Sequence, residues 1–313
     1  MAGAPLISIV IPCYNQAHFL REAIESVVSS AAAIEVVVVD DGSTDCTAEV
    51  VEAIRQREGV EVRYVRQANG GLAAARNRGL LESRGRYVVF LDADDRLTAD
   101  ALDVGLAALE SHPDRAFVFG RCLMMSSGGV VLPTPGQPLI ASDHYPALLR
   151  RNYIWTPAMV MYRREAVEAA GGFDPAVNAA ADYDLHLRIT RRHAVHDHGH
   201  VVAHYRRHDG NMSSNASRML RETLAVMRGQ RGLIGGDAAL REAYREGWRT
   251  WQDFYGTHLV NEIRAHVAAG EWLRALRKAL TLGRYHPRGL AHHAMQKLRL
   301  TFHAAVHRQR KAA

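Results

Sequence analysis

A chain of 313 residues that is 48% hydrophobic has room for one large domain, or for one domain with a helical extension. No segment approaches the roughly eighteen uninterrupted apolar residues of a membrane-spanning helix, and Leu6–Ile11 is too short, and lacks a preceding basic region, to serve as a secretory signal. The net charge of +6 is uneven: residues 1–214 hold 21 Lys/Arg and 26 Asp/Glu, whereas residues 215–313 hold 18 and 7, a net of +11. An anionic partner for the C-terminal part is therefore expected, either a membrane surface or nucleic acid. The cysteines Cys13, Cys46 and Cys122 are scattered and odd in number, which fits a reducing cytosol better than a disulfide framework or a zinc site.

In chain order, Leu6–Ile11 reads as a buried strand ended by Pro12, and Phe19–Val28 has helical spacing. Ile34–Val39 is a second interior strand, running into Asp40-Asp41-Gly42-Ser43-Thr44-Asp45, whose polar residues can cap a helix over Thr47–Arg57. A short strand over Val60–Val65 leads to the turn Asn69-Gly70-Gly71 and an alanine-rich helix over Leu72–Ser83. Tyr87–Leu91 reads as a buried strand, and it ends in Asp92-Ala93-Asp94-Asp95. The alternation of strands and helices predicts an α/β fold with a mainly parallel sheet.

Two clusters of carboxylates, Asp40-Asp41 and Asp92-Asp94-Asp95, thus follow two strands of one sheet and fall at the same edge. Carboxylates so close repel one another, and a divalent cation with oxygen ligands is the simplest counter-charge. The bland alternative is that Asp94 and Asp95 cap a helix beginning near Thr98. The Gly70-Gly71 turn opens a helix whose N-terminal amides can face an anion, with Arg76 one turn further on. Metal, glycine turn and arginine together suit a diphosphate. Neither Gly-x-Gly-x-x-Gly after the first strand nor Gly-x-x-x-x-Gly-Lys-Ser/Thr occurs, so the common nucleotide-binding loops are excluded.

Taken together, Ile9–Asn15, Val39–Asp45, Asn69–Asn77 and Phe90–Asp95 resemble, in that order, the family 2 glycosyltransferases of GT-A fold, over roughly residues 5–215. The resemblance implies a nucleotide-sugar donor, usually UDP-linked, and Mn²⁺ or Mg²⁺. It places Pro12, Tyr14 and Asn15 at the base and ribose, with Tyr14 against the base. Asp41 would accept the uracil ring N–H, while Asn69, Gly70, Arg76, Asp92 and Ala93 complete the donor site. Asp94 would hold the metal, and Asp95 would serve the sugar or only cap a helix.

Ala101–Leu109 reads as a helix and Ala116–Gly120 as a strand that Arg121–Met125 can extend. Residues 126–146 read as a loop bordering the acceptor. Trp155 is either a sugar platform or a core aromatic, and Ala158–Tyr162 and Arg163–Ala170 read as strand and helix. Gly171-Gly172-Phe173-Asp174 and the segment around Asp182 resemble the family's second landmark, which makes Asp182 the general base. Ala181 departs from the Glu common before it. Capping would explain Asp182 and Asp184 equally simply, and Asp184 can also pair with Arg188. Val201–Tyr205 reads as a strand, with His196, His198 and His200 alternating before it. By the resemblance, His208 completes the metal shell, and Arg206 or Arg207 neutralises the diphosphate.

The expected organisation is a catalytic domain over 1–214, its donor half about 1–125 and its acceptor half about 126–214, with a basic helical extension over 215–313. Helices are expected over Arg218–Gly229, Ala238–Leu259, Glu262–Leu282 and His292–His307. The last of these pairs an apolar face with Lys297, Arg299, Arg308, Arg310 and Lys311, as an interfacial membrane helix does; packing against the catalytic domain or a second subunit is the other reading. The implied activity is inverting transfer of one sugar from a UDP-sugar to an acceptor in glycan, polysaccharide or glycolipid synthesis. The setting would be cytoplasmic, with peripheral attachment to the inner face of the membrane as the further option. No Gln-x-x-Arg-Trp follows Asp182, which disfavours processive polymerisation. A nucleotidyltransferase would need a glycine- and lysine-rich loop after the first strand. Nucleic-acid binding is not expected, because the basic tail lacks interleaved aromatics. A degenerate transferase that only binds its donor is the remaining rival.

Overall fold

The apolar runs of the first half become the centre of an eight-stranded sheet in a computed structural model that describes residues 5–27, 33–56, 61–287 and 289. Two units divide the chain, residues 1–211 and 212–313. In the first, β1 (Ile7–Cys13), β2 (Ile34–Asp40), β3 (Glu61–Arg66) and β4 (Tyr87–Phe90) alternate with α1 (Ala17–Glu25), α2 (Thr47–Arg55) and α3 (Leu72–Glu82). The sheet order is β3-β2-β1-β4 followed by β7 (Val160–Arg163), β6 (Phe117–Ser126), β8 (His196–Arg207) and β5 (Arg96–Leu97), and the first four strands are parallel. In β1, β2 and β4 the β-branched and aromatic residues are almost all buried, as expected for strands covered on both faces, whereas the edge strand β3 is half-buried.

Pro12 does not end β1 as expected. The strand continues to Cys13, with Pro12 opposite Val39 of β2. On the other side β4 pairs with β1 only from Ile7 to Val10, so the proline lies beyond that ladder and its missing N–H removes no bond there.

After β4 the chain turns through Asp92–Asp95 into a two-residue strand, β5 (Arg96–Leu97), which pairs antiparallel with β8 (His196–Arg207). Helix α4 starts only at Ala101 and runs to Ser111, so Asp94 and Asp95 cap no helix. Strands β6 (Phe117–Ser126) and β7 (Val160–Arg163) complete the sheet: β7 is antiparallel to both β4 and β6, and β6 runs parallel to β8. The loop after β6 is shorter than expected, because His144–Arg150 forms a helix, α5. Helix α6 (Arg164–Ala169) leads to the glycine turn, and α7 spans Ala181–Thr190. The three alternating histidines belong to β8 itself, which starts five residues earlier than its apolar part suggests.

The second unit contains α8 (Ala216–Gln230), α9 (Ala238–Ala268) and α10 (Trp272–Tyr285). The expected break near residue 260 is absent. Ala243, Gly247, Trp251, Tyr255, Leu259 and Val260 form one buried stripe up to that point, and no proline or glycine interrupts Val260-Asn261. The helix stops instead at Gly270, in the left-handed region at φ 74°. The expected helix over His292–His307 lies outside the described residues.

Helix α3 lies directly on the sheet. A Cβ placed on Gly79 would stand 2.2 Å from Val10 Cγ1 and 3.2 Å from Val39 Cγ2, so only glycine lets the helix approach β1 and β2. Gly79→Ala should therefore destabilise the protein by about 1–3 kcal/mol through overpacking. Thermal unfolding checks this: an unchanged or raised midpoint would show that the helix can shift outwards freely.

Candidate active site

Parallel pairing of β1 with β2 and β4 brings the turns after all three to one edge of the sheet. The sequence-predicted residues gather around this edge, but several have different work from that expected.

Asp40 and Asp41 are 2% and 3% exposed, and both bind the protein itself. Asp40 accepts from the Ser43 amide and the Tyr64 hydroxyl. Asp41 accepts from the amides of Gly70 and Gly71, each at 2.8 Å, and from Gln67 Nε2 at 2.8 Å. The anion expected at the start of α3 is thus, first of all, the Asp41 carboxylate. Gly71 makes this possible with φ 88°, and its missing Cβ leaves room for Asn178, whose Oδ1 accepts from the Ala73 amide at 2.7 Å. Asn69 and Gly70 sit at the exposed tip of this turn.

On the other side of β1, Pro12 is buried while the Tyr14 ring is half-exposed. Asn15 takes a left-handed backbone and accepts from the Thr44 amide at 2.8 Å, so it locks the turn after β1 to the turn after β2. Tyr14 is left presenting its ring at the rim.

Arg76 is not displayed to a diphosphate. It is buried, its guanidinium donates to Asp92 Oδ1 at 2.6 Å, and it stands over the Phe173 ring at 5.3 Å. Ala93, next in the chain, is fully buried. Asp182 lies in the field of the same arginine. Though partly open to solvent, its carboxyl is pushed above the ordinary carboxylate range by burial; Arg76 and the Tyr183 amide pull it back, and Asp92 pushes it further up. Helix α7 begins on Ala180 without a side-chain cap, but Asp182 and Asp184 lie in its first turn, where the helix dipole favours negative charge. Asp184 also holds Arg188 Nε at 2.7 Å, and Arg188 Nη2 donates to the Gly172 carbonyl at 2.7 Å. Ala181 is fully buried, so the Glu common at this position would have to enter the interior.

Asp94 is buried, and its Oδ2 collects His208 Nε2 at 2.9 Å, Gln16 Nε2 at 3.2 Å and Asn211 Nδ2 at 3.3 Å. Burial is the main cause that raises its carboxyl, followed by Asp92, while His208 lowers it. Among the described residues no three His, Cys, Asp or Glu side chains form a ready metal cage. Asp94 and His208 nevertheless supply a hard oxygen and an imidazole nitrogen side by side. They suit a divalent ion that takes its remaining ligands from substrate phosphates and water.

Arg206 and Asp95 turn out to be framework. Arg206 is 1% exposed and donates through Nε to the Asp94 carbonyl at 2.7 Å, through Nη1 to the Ser127 carbonyl at 2.7 Å and through Nη2 to Glu22 at 2.8 Å. Asp95 accepts from the Arg206 amide and from Thr156 Oγ1, both at 2.9 Å, and burial holds its carboxyl well above the usual range. Both side chains are buried. Arg207 is exposed, and Trp155 is partly buried beside Thr156. Gln16, Gln67, Asn178 and Asn211 were missed, since lone amide side chains carry no motif signal.

The profile of glycosyl transferase family 2 matches residues 8–171. The uncharacterized glycosyltransferase EpsJ of Bacillus subtilis is 33% identical over 202 residues, which is 60% of this chain and 56% of EpsJ, so the match spans little more than half of that protein. Among solved structures, S. aureus TarS 1-349 in complex with UDP-GlcNAc aligns with a TM-score of 0.63 at 19% identity, over 91% of this chain and 82% of that one. The mannosyltransferase PcManGT of Pyrobaculum calidifontis, in complex with GDP-Man and Mn²⁺, aligns at 0.61 and 20% identity, over 95% and 88%. These two likenesses carry the fold.

The raised carboxyls make a stability prediction. The folded state holds the protons of Asp94, Asp95 and Asp182 more tightly than the unfolded chain, so their contribution is full below about pH 4 and is lost as pH rises through the raised values. Asp182→Asn, which removes one buried charge, should match or exceed the wild type in melting temperature at neutral pH and lose less stability between pH 5 and pH 7.5. A greater loss in the variant, measured by thermal unfolding at both pH values, would mean that Asp182 is needed to balance Arg76. By its matched profile and its fold, the chain belongs to glycosyltransferase family 2.

Proposed function

We propose that the protein moves one sugar from a UDP-sugar to an acceptor hydroxyl with inversion at the anomeric carbon. The observation that carries this reading is Asp182, a carboxylate raised in proton affinity and held in the field of Arg76 and Asp92. Asp94 and His208 belong to the same group of charges, linked to it through Asp92. A carboxylate with raised pKa is a better base towards a hydroxyl than an ordinary one, and Asp182 takes the acceptor proton as the new bond forms.

The donor side follows from the same edge. Tyr14 offers its exposed ring to the base. Asp41 uses three hydrogen bonds of the roughly four that a carboxylate accepts, which leaves one for the uracil ring N–H. Asn69 and Gly70 border the nucleotide, and Asp92, fixed by Arg76, faces the ribose. Asp94 and His208 are the residues that would hold Mn²⁺ or Mg²⁺. Bound there with the diphosphate, such an ion supplies positive charge where negative charge develops on the leaving group.

UDP is favoured over other nucleotides by the Asp41 reading and by the UDP-GlcNAc complex of TarS, although PcManGT holds GDP-Man. Single transfer is favoured over polymerisation because residues 183–313 contain no Gln-x-x-Arg-Trp. The acceptor class is a glycan, polysaccharide or glycolipid hydroxyl.

Asp182→Asn should lower transfer at least ~10²-fold, the scale of general-base catalysis, while UDP binding with Mn²⁺ survives. Asp94→Asn should instead weaken the metal-dependent part of UDP binding. UDP release and calorimetric titration separate the two. Near-normal turnover in Asp182→Asn removes the base assignment, and unchanged metal dependence in Asp94→Asn removes the metal assignment.

A further inference from the structure

Helix α10 shows large apolar side chains to solvent. Trp272 is 65% exposed, Leu273 76%, Leu276 56% and Leu280 65%. At about 100° per residue these four fall within a sector of about 100°. The opposite side is already used: Ala275 and Leu282 are buried, Lys278 pairs with Glu262 of α9, and the Tyr285 carbonyl accepts from Gln252 of α9. The stripe is therefore not a core face that the second unit leaves half-packed. It is a second face, turned away from α9.

Arg277 and Arg284 lie next to the stripe on the helix surface, about 20–40° beyond its margin, and Arg274 lies further round. All three are exposed. Arg274 pairs with Glu271, whereas neither Arg277 nor Arg284 has an acidic partner among the described residues. Residues 272–313 contain ten Lys/Arg and no Asp/Glu.

We propose that α10 lies in the interface of an anionic lipid bilayer, with Trp272, Leu273, Leu276 and Leu280 sunk among the acyl chains and Arg277 and Arg284 at the phosphates. An interfacial helix has this combination of apolar stripe, flanking arginines and low mean hydropathy. The described helices include none long and apolar enough to cross the bilayer, so this is binding to one leaflet. A second copy of the chain is a poorer occupant, because pairing two such stripes brings like charges together in a segment that has no acidic residue to offset them. The inference does not depend on the transferase reading.

The test is sedimentation of the full chain with vesicles of phosphatidylglycerol and phosphatidylcholine, against phosphatidylcholine alone. The protein should bind the anionic vesicles, release as salt is raised, and show tryptophan quenching by brominated acyl chains that disappears in Trp272→Phe. Leu273→Ser with Leu280→Ser, and separately Arg277→Gln with Arg284→Gln, should each lower partitioning at least about tenfold. Thermal unfolding should be unchanged, since all four side chains are exposed. Equal binding to neutral vesicles overturns the assignment of an anionic surface. Full binding by the Leu273/Leu280 variant would place the contact outside α10 and overturn the proposal. So would failure to bind vesicles together with a dimer in solution that the same variant dissociates.

Discussion

A guanidinium that is buried cannot shed its charge, and Arg76 is almost entirely buried against the sheet. It must be met by carboxylates, and the ones that meet it, Asp92 directly and Asp182 through its field, are those around which the candidate chemistry is arranged. The same helix carries two more ties. Asn77 exchanges two hydrogen bonds of 2.8 Å with the backbone of Phe173, and the Ala73 amide donates to Asn178. One helix of eleven residues thus fixes the turn after β2, the turn after β4 and the approach to α7 relative to one another. Breaking a buried pair of this kind typically costs about 3–5 kcal/mol, since it strands the remaining charge. The constraint is therefore structural and electrostatic at once.

Arg206 performs a second version of this task on the other flank. It arrives on the last strand of the first unit and binds the backbone at Asp94 and Ser127 and the side chain of Glu22. The carboxylate-bearing turn is held from both sides by cations that do not touch solvent. What remains uncompensated is Asp94 and Asp182, whose carboxyls burial pushes upwards. Both carry charge that the fold does not fully neutralise. Carboxyls raised by burial cluster at functional sites, and they lower stability at neutral pH.

Much of the first unit was legible in the chain. Continuous apolar runs between glycine- and aspartate-bearing turns gave β1 to β4 and the helices between them, because burial on both faces leaves few other sequences possible. The parallel order then placed both aspartate clusters at one edge. The errors were instructive. Capping, the bland alternative for Asp94 and Asp95, fails because a strand of two residues, β5, lies between them and α4, and so short a strand has no sequence signal. The break expected near residue 260 of α9 rested on local composition, whereas the helix itself continues to Ala268.

Individual roles at the site were the least readable. Sequence by itself determined which residue types stand at the edge: the aspartates, the glycine turn, Arg76, His208 and Arg206. It also determined the charge split between the two units, since charge is additive along the chain. Only the tertiary structure decided which charge meets which. It turned Arg76 inwards onto Asp92 and gave the amides of the glycine turn before α3 to Asp41. It made Arg206 and Asp95 a brace and set His208 beside Asp94 across 114 residues. Pairing depends on distance in space, and the chain specifies that distance only after strands far apart in sequence have come together.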